Sequence, residues 1–228
     1  MGTFFLNECM IKGAILSSYY IPLKTRLESH QIPILHVIPL EQIGKYALPI
    51  YGTWKLIIST GHTLTLEGFE CIDLPKQEGL RFSARDARYS HDGKHLWIGY
   101  GNNSTTTHAG IEAVMNLLPP SIQVHVVYSE GHLDTWFLPL SNNKVLLCRS
   151  SQEVARIFGT KNVIQVPKKY SQACLSVCLP GVLLVPKFIQ ARSWLYKATG
   201  LRIEEVNLES VSLNLINLCS NSLNEINL

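Results

Sequence analysis

The chain reads as a single α/β domain spanning residues 1–228 and assembled from repeated strand, helix, strand units. A stretch near the start recurs near the end, similar units fill the space between, and no Pro, Gly or Ser-rich linker separates them. GAILSSYYIPLKTRLESHQIPILHVIPLEQI from Gly13 aligns without a gap with GVLLVPKFIQARSWLYKATGLRIEEVNLESV from Gly181. Leu16 meets Leu184, Ile21 meets Ile189, Leu27 meets Leu195 and Leu40 meets Leu208. Each copy is a short apolar strand, a segment with helical spacing and a second strand of alternating pattern.

Between these copies, TWKLIIST from Thr53 leads to FECIDLP, with STGHTLTLEG leaving little room for a full helix. HLWIGYG from His95 leads through HAGIEAVMNLL to VHVVYS, and KVLLCRS from Lys144 leads through QEVARIF to NVIQVP. The units therefore start near residues 13, 54, 95, 144 and 181. Units of roughly 40 residues cannot bury a face alone and must pack against one another. Five of them can close into a ring, in which the loops nearest the axis bring distant positions together.

Hydrophobic residues make up 46% of the chain and charged ones 16%, well below the usual charged share of about 25%, so most of the sequence goes into buried elements. The net charge of +3 is spread out, and no basic run with interleaved aromatics points to nucleic acid. MGTFFLNECMIKG lacks a secretory pattern, and no apolar stretch reaches the roughly 18 residues of a membrane helix. A cytoplasmic protein without membrane contact is expected. The six cysteines lack paired CxxC spacing, which argues against a zinc site and a disulfide scaffold. Cys174 and Cys178 read as packing residues, and His125 in VHVVY as structural.

One short stretch breaks the apolar pattern. In GHLDTWF, residues 131–137, an extended chain would put His132 and Asp134 on one face. With Asp86 before the third unit and Cys219 after the fifth, they make a chemical kit: a thiolate nucleophile, an imidazole that relays protons, and carboxylates that grip a planar cation. Asp86, flanked by Arg85 and Arg88, also fits a surface ion pair.

The order ARD, GYG, HLDTWFLPL and a late cysteine resembles the guanidine-modifying superfamily of arginine deiminases, amidinotransferases and dimethylarginine dimethylaminohydrolases. The resemblance runs from about residue 54 to the end, and it implies a pentein fold, a five-bladed αβ propeller. It implies further that Cys219 attacks a guanidinium carbon to form a thiouronium and that His132 handles the protons. Asp134 would bind guanidinium nitrogens, and Asp86 would either join it or orient His132. The implied substrate is a small guanidinium compound such as arginine or a derivative, with no metal or nucleotide cofactor. A hydrolase is expected over an amidinotransferase, since no acceptor site is visible.

The chain departs from the family in several places. Phe82, Ser83 and Ala84 stand where an acidic residue is common. Tyr51 and Gly52 stand near a usual Asp or Asn, and LNLINL replaces the glycine-rich turn ahead of the nucleophile. Asn102 and Asn103 follow Gly101 where an arginine often meets a substrate carboxylate, so peptidyl arginine stays open as a substrate. These departures leave a second class in play, a non-catalytic relative that serves as a binding or interaction module. Oligomeric state is left open.

Overall fold

The computed structural model describes residues 2–7, 34–38 and 217–219 at the level of backbone. It also describes residues 47–206, apart from 51, 52, 54, 64, 66–69, 102, 103, 180, 187 and 188. Among the described residues the chain forms five sheets of three strands, all built alike. A middle strand is flanked by an antiparallel strand on one side and a parallel strand on the other.

The second sheet joins β3 (Ala47–Pro49), β4 (Lys55–Ile58) and β5 (Glu70–Asp73). The third joins β6 (Ala87–Tyr89), β7 (His95–Tyr100) and β8 (Gln123–Tyr128). The fourth holds β9 (Phe137–Pro139), β10 (Val145–Leu147) and β11 (Val163–Gln165), and the fifth β12 (Val177–Leu179), β13 (Val182–Pro186) and β14 (Arg202–Val206). The first draws on both ends of the chain: β1 (Gly2–Asn7) lies between β2 (Ile34–Ile38) and β15 (Asn217–Cys219).

A parallel neighbour needs a crossover, and in three sheets a short helix supplies it. These are α1 (His108–Met115), α2 (Gln152–Phe158) and α3 (Arg192–Thr199). Each starts or stops on the expected chemistry. The hydroxyls of Thr107 and Ser151 accept from the backbone of Gly110 and Val154 to cap α1 and α2, and Gly200 ends α3 in a left-handed conformation. No helix occurs among the described residues between β4 and β5, in keeping with the STGHTLTLEG reading. No described helix is long and apolar enough to cross a membrane.

The repeat locates the last strand of the first unit well. Residues 34–38 and 202–206, which the gapless alignment pairs, are β2 and β14. It does not locate the middle strand: that place is taken by Gly2–Asn7, ahead of Gly13, which itself lies outside the described residues.

The core fills the gaps between neighbouring sheets. Leu48, Ile57, Ile98, Ile111 and Val114 pack between the second and third, and Trp97, Val127, Phe137 and Val145 between the third and fourth. Leu146, Leu183 and Leu195 pack between the fourth and fifth. Gly110 on α1 is where this packing is tightest, since a Cβ there would meet the Arg81 carbonyl oxygen at 2.0 Å. Gly110→Ala is therefore expected to destabilise the protein by about 1–3 kcal/mol through overpacking, outweighing the helix-propensity gain of about 1 kcal/mol. A urea melt that shows a stabilised variant would disprove the close approach.

Candidate functional site

Three 3-10 turns build the site, each ending within one residue of the first strand of a sheet. Ala84–Asp86 precedes β6, Leu133–Thr135 precedes β9 and Ala173–Leu175 precedes β12. The middle turn packs against both others, so residues far apart in sequence meet. The segment expected to be extended is thus a 3-10 turn with His132 at its start. Strict alternation does not hold there, and His132 and Asp134 reach different partners.

His132 Nδ1 lies 2.8 Å from Asp86 Oδ1. A carboxylate only accepts, so Nδ1 carries the proton, and in the neutral ring Nε2 keeps its lone pair. Asp86 is wholly buried rather than a surface ion pair, and its other oxygen accepts from Ser104 Oγ at 2.9 Å, Thr106 Oγ1 at 2.8 Å and the Thr106 amide at 3.2 Å. Those donors hold the carboxylate rigidly, and it in turn fixes the imidazole. His132 itself is partly exposed, with 28% of its side chain accessible, so small molecules can reach it.

Asp134 has a different role in the geometry. It forms a two-point ion pair with Arg85, Nε to Oδ2 at 3.1 Å and Nη2 to Oδ1 at 3.4 Å, while its side chain is only 5% accessible. Arg88 lies behind it. One of its Nη2 protons faces the Asp134 carbonyl at 3.0 Å and another the Cys174 carbonyl at 3.2 Å, whereas its buried Nε has no partner. Burial pushes the Arg88 guanidinium below its ordinary value, and the Asp134 charge works against that shift.

Gly99, the first glycine of GYG, lets this region approach β7: a Cβ there would stand 3.0 Å from Ser129 Cβ and 3.3 Å from Leu133 Cβ. Ser129 Oγ accepts from Trp136 Nε1 at 2.8 Å, locking the far side of the turn. Cys219 falls in β15, with its backbone opposite Gly2; its side chain lies outside the described residues, as do the first four residues of LNLINL, Tyr51, Gly52, Asn102 and Asn103.

Sequence reasoning did not single out Arg85, Arg88, Ser104, Thr106 or Cys174 for this cluster. A positional signal existed for one of them: Cys174 stands three residues ahead of its strand, as Asp134 does. His125 and Cys178 make packing contacts, His125 with Trp97 and Cys178 within the core between the fourth and fifth sheets. His125 stacks on Trp97 at 4.2 Å and shares a proton contact of 3.0 Å with His95, beside a cleft of about 360 Å³ at the opposite end of β7. Burial, and then the neighbouring His95, push the His125 imidazole below its ordinary value.

No protein-family model matches the chain, and no curated protein matches it in sequence. Solved structures do. The N-terminal domain of ArgZ, an arginine dihydrolase from Cyanobacteria, superposes with a TM-score of 0.67 at 16% identity, covering 96% of this chain and 98% of that one. AgrE, solved with ornithine and NAD+, gives 0.70 at 18% identity, with 96% of this chain matching 39% of that one. A dimethylarginine dimethylaminohydrolase variant carrying an S-methyl-L-thiocitrulline adduct gives 0.60 at 16% identity over 90% of this chain and 91% of that one. The chain therefore has an α/β fold that matches those of an arginine dihydrolase and a dimethylarginine dimethylaminohydrolase, members of the superfamily its sequence resembles.

Proposed function

We propose that the protein is a cysteine-dependent hydrolase of a guanidinium compound, arginine or an arginine derivative, working through a covalent thiouronium on Cys219. The observation that carries this reading is the 2.8 Å contact of His132 Nδ1 with a buried, fully bonded Asp86. It leaves Nε2 as the reactive nitrogen, a proton acceptor when neutral and a donor when charged. In this scheme the Cys219 thiolate attacks the guanidinium carbon, and His132 Nε2–H gives its proton to the departing amine. His132 Nε2 then takes a proton from water, which attacks the thiouronium carbon and releases Cys219. Support comes also from the relatives in fold: the ArgZ domain is solved bound covalently to a reaction intermediate, and a cysteine-to-serine variant of it bound to substrate.

Asp86 acts by orienting His132. Asp134 binds the substrate guanidinium by sharing, since each oxygen paired with Arg85 keeps a second lone pair. The overall architecture in this reading is a five-bladed ring. The uniform make-up of the five sheets, the packing of the three turns and the β15–β1 pairing support it. An amidinotransferase would use the same first half-reaction. A non-catalytic binding protein is favoured by one observation, that Asp134 already holds a guanidinium belonging to the protein itself.

A small amidine electrophile and intact-mass analysis separate these readings. Labelling of one site, lost in Cys219→Ser, slowed in His132→Ala and blocked by arginine, is the expected result. Labelling that spreads over several cysteines, or ignores arginine, would leave the binding protein as the better account.

A further inference from the structure

We propose that Cys148 and Cys174 form a redox-reactive dithiol, with Cys148 as the attacking and Cys174 as the resolving sulfur, which a hydroperoxide converts to a Cys148–Cys174 disulfide. This goes beyond the hydrolase reading and does not depend on it. The two sulfurs lie 3.3 Å apart, both as free thiols, Cys148 just past β10 and Cys174 in the turn before β12. A disulfide needs about 2.05 Å, so a small approach of two side chains completes it.

The electrostatic surroundings favour a thiolate. Arg88 is buried with an unpartnered Nε and donates to the Cys174 and Asp134 carbonyls, while the Asp134 carboxylate is paired with Arg85. Arg149 adjoins Cys148 in sequence. Arg88 acts on Cys174 and Arg149 on Cys148, and positive charge beside the thiol pair favours the loss of one thiol proton. The two thiols then divide their roles by environment. The hydrogen bond it shares with Cys174 holds Cys148 below the ordinary thiol range, with burial opposing the shift and Arg149 adding to it. Burial, above all, pushes Cys174 well up, so it keeps its proton. Cys148 is partly exposed, which lets an oxidant in, whereas Cys174 is wholly buried. Cys178 provides the contrast: its sulfur accepts from the Ser141 amide at 3.1 Å, and burial raises its thiol to about 11.

The chemistry balances with hydrogen peroxide as oxidant. The Cys148 thiolate attacks one peroxide oxygen, forming an S–O bond as the O–O bond breaks and hydroxide leaves, which gives a sulfenic acid. The Cys174 sulfur then attacks the Cys148 sulfur; the S–S bond forms, the S–O bond breaks, and the hydroxide departs as water with the Cys174 proton. Two sulfurs are each oxidised by one electron, and the two peroxide oxygens are reduced.

The test treats the reduced full chain with equimolar hydrogen peroxide, alkylates the remaining thiols and maps the tryptic peptides by mass. The expected product joins residues 145–149 to residues 170–187, reverts with dithiothreitol, persists in Cys178→Ser and vanishes in Cys148→Ser. In Cys174→Ser, Cys148 should accumulate as a sulfenic acid that a cyclic diketone traps. A cross-link that disappears with Cys178→Ser would overturn the assignment. So would a native chain whose Cys148 stays fully alkylatable while other cysteines are oxidised, a result that needs no variant to fold.

Discussion

His132→Ala is expected to lower turnover of the proposed guanidinium substrate by about 10²–10⁴-fold, the usual worth of a positioned general acid and base, while costing only about 1–3 kcal/mol of stability for the partner that buried Asp86 Oδ1 loses. The two readouts separate because of where the ring sits. Its side chain is 28% accessible, so its loss opens little of the core, yet in the proposed mechanism Nε2 is the nitrogen through which both proton transfers pass. Asp86→Asn tests the same contact from the other side. An asparagine fills the same space, but its amide can donate to Nδ1, which moves the imidazole proton to Nε2 and removes the base. Turnover should fall in this variant too, with KM changed far less than kcat. Measured kcat for His132→Ala equal to that of the native chain would take His132 out of the chemistry. A parallel collapse of the urea midpoint would assign the residue to structure instead.

Asp134→Ala should destabilise the fold by about 3–5 kcal/mol, the range for removing one partner of a buried ion pair. The lower end is expected because the Arg85 side chain is 22% accessible and retains some hydration. Arg88 adds to the cost, since it is buried against the Asp134 carbonyl and the Asp134 charge is the strongest one favouring its charged form. Asp134→Asn keeps an acceptor for Arg85 and should cost less, and Asp134→Asn combined with Arg85→Gln less again. Chemical denaturation at neutral pH measures the series. An alanine variant as stable as the native chain would show that the Arg85 pair is incidental, which would free the carboxylate entirely for substrate.

The sequence made the regular parts of this fold readable. HAGIEAVM and QEVARIF carry helical spacing behind Thr and Ser caps, and they are α1 and α2. KVLLCRS and NVIQVP, apolar runs bounded by turn residues, hold β10 and β11. The site was readable only as a set of residue types. Asp86 and His132 were singled out, but their contact spans 46 residues of chain and depends on turns that side-chain alternation does not encode. The same holds for Asp134. As a strand residue it would share a face with His132; one 3-10 turn redirects it to Arg85, a residue read from the sequence as a flank of Asp86. Ser104 and Thr106 carry no periodic signal, since they lie in an irregular segment and matter only through the buried oxygen they meet.

The pairing of β15 with β1 bears on how the chain acquires its structure as it is made. Four of the sheets draw all three strands from one continuous run and can form as soon as that run leaves the ribosome. The first sheet cannot, because Gly2 waits for Cys219. Contacts of such long range are slow to form, as the loop that closes them loses the most freedom. The nascent protein should therefore pass through a stage in which β1 has an open edge, and that edge is the part most exposed to mispairing with another chain.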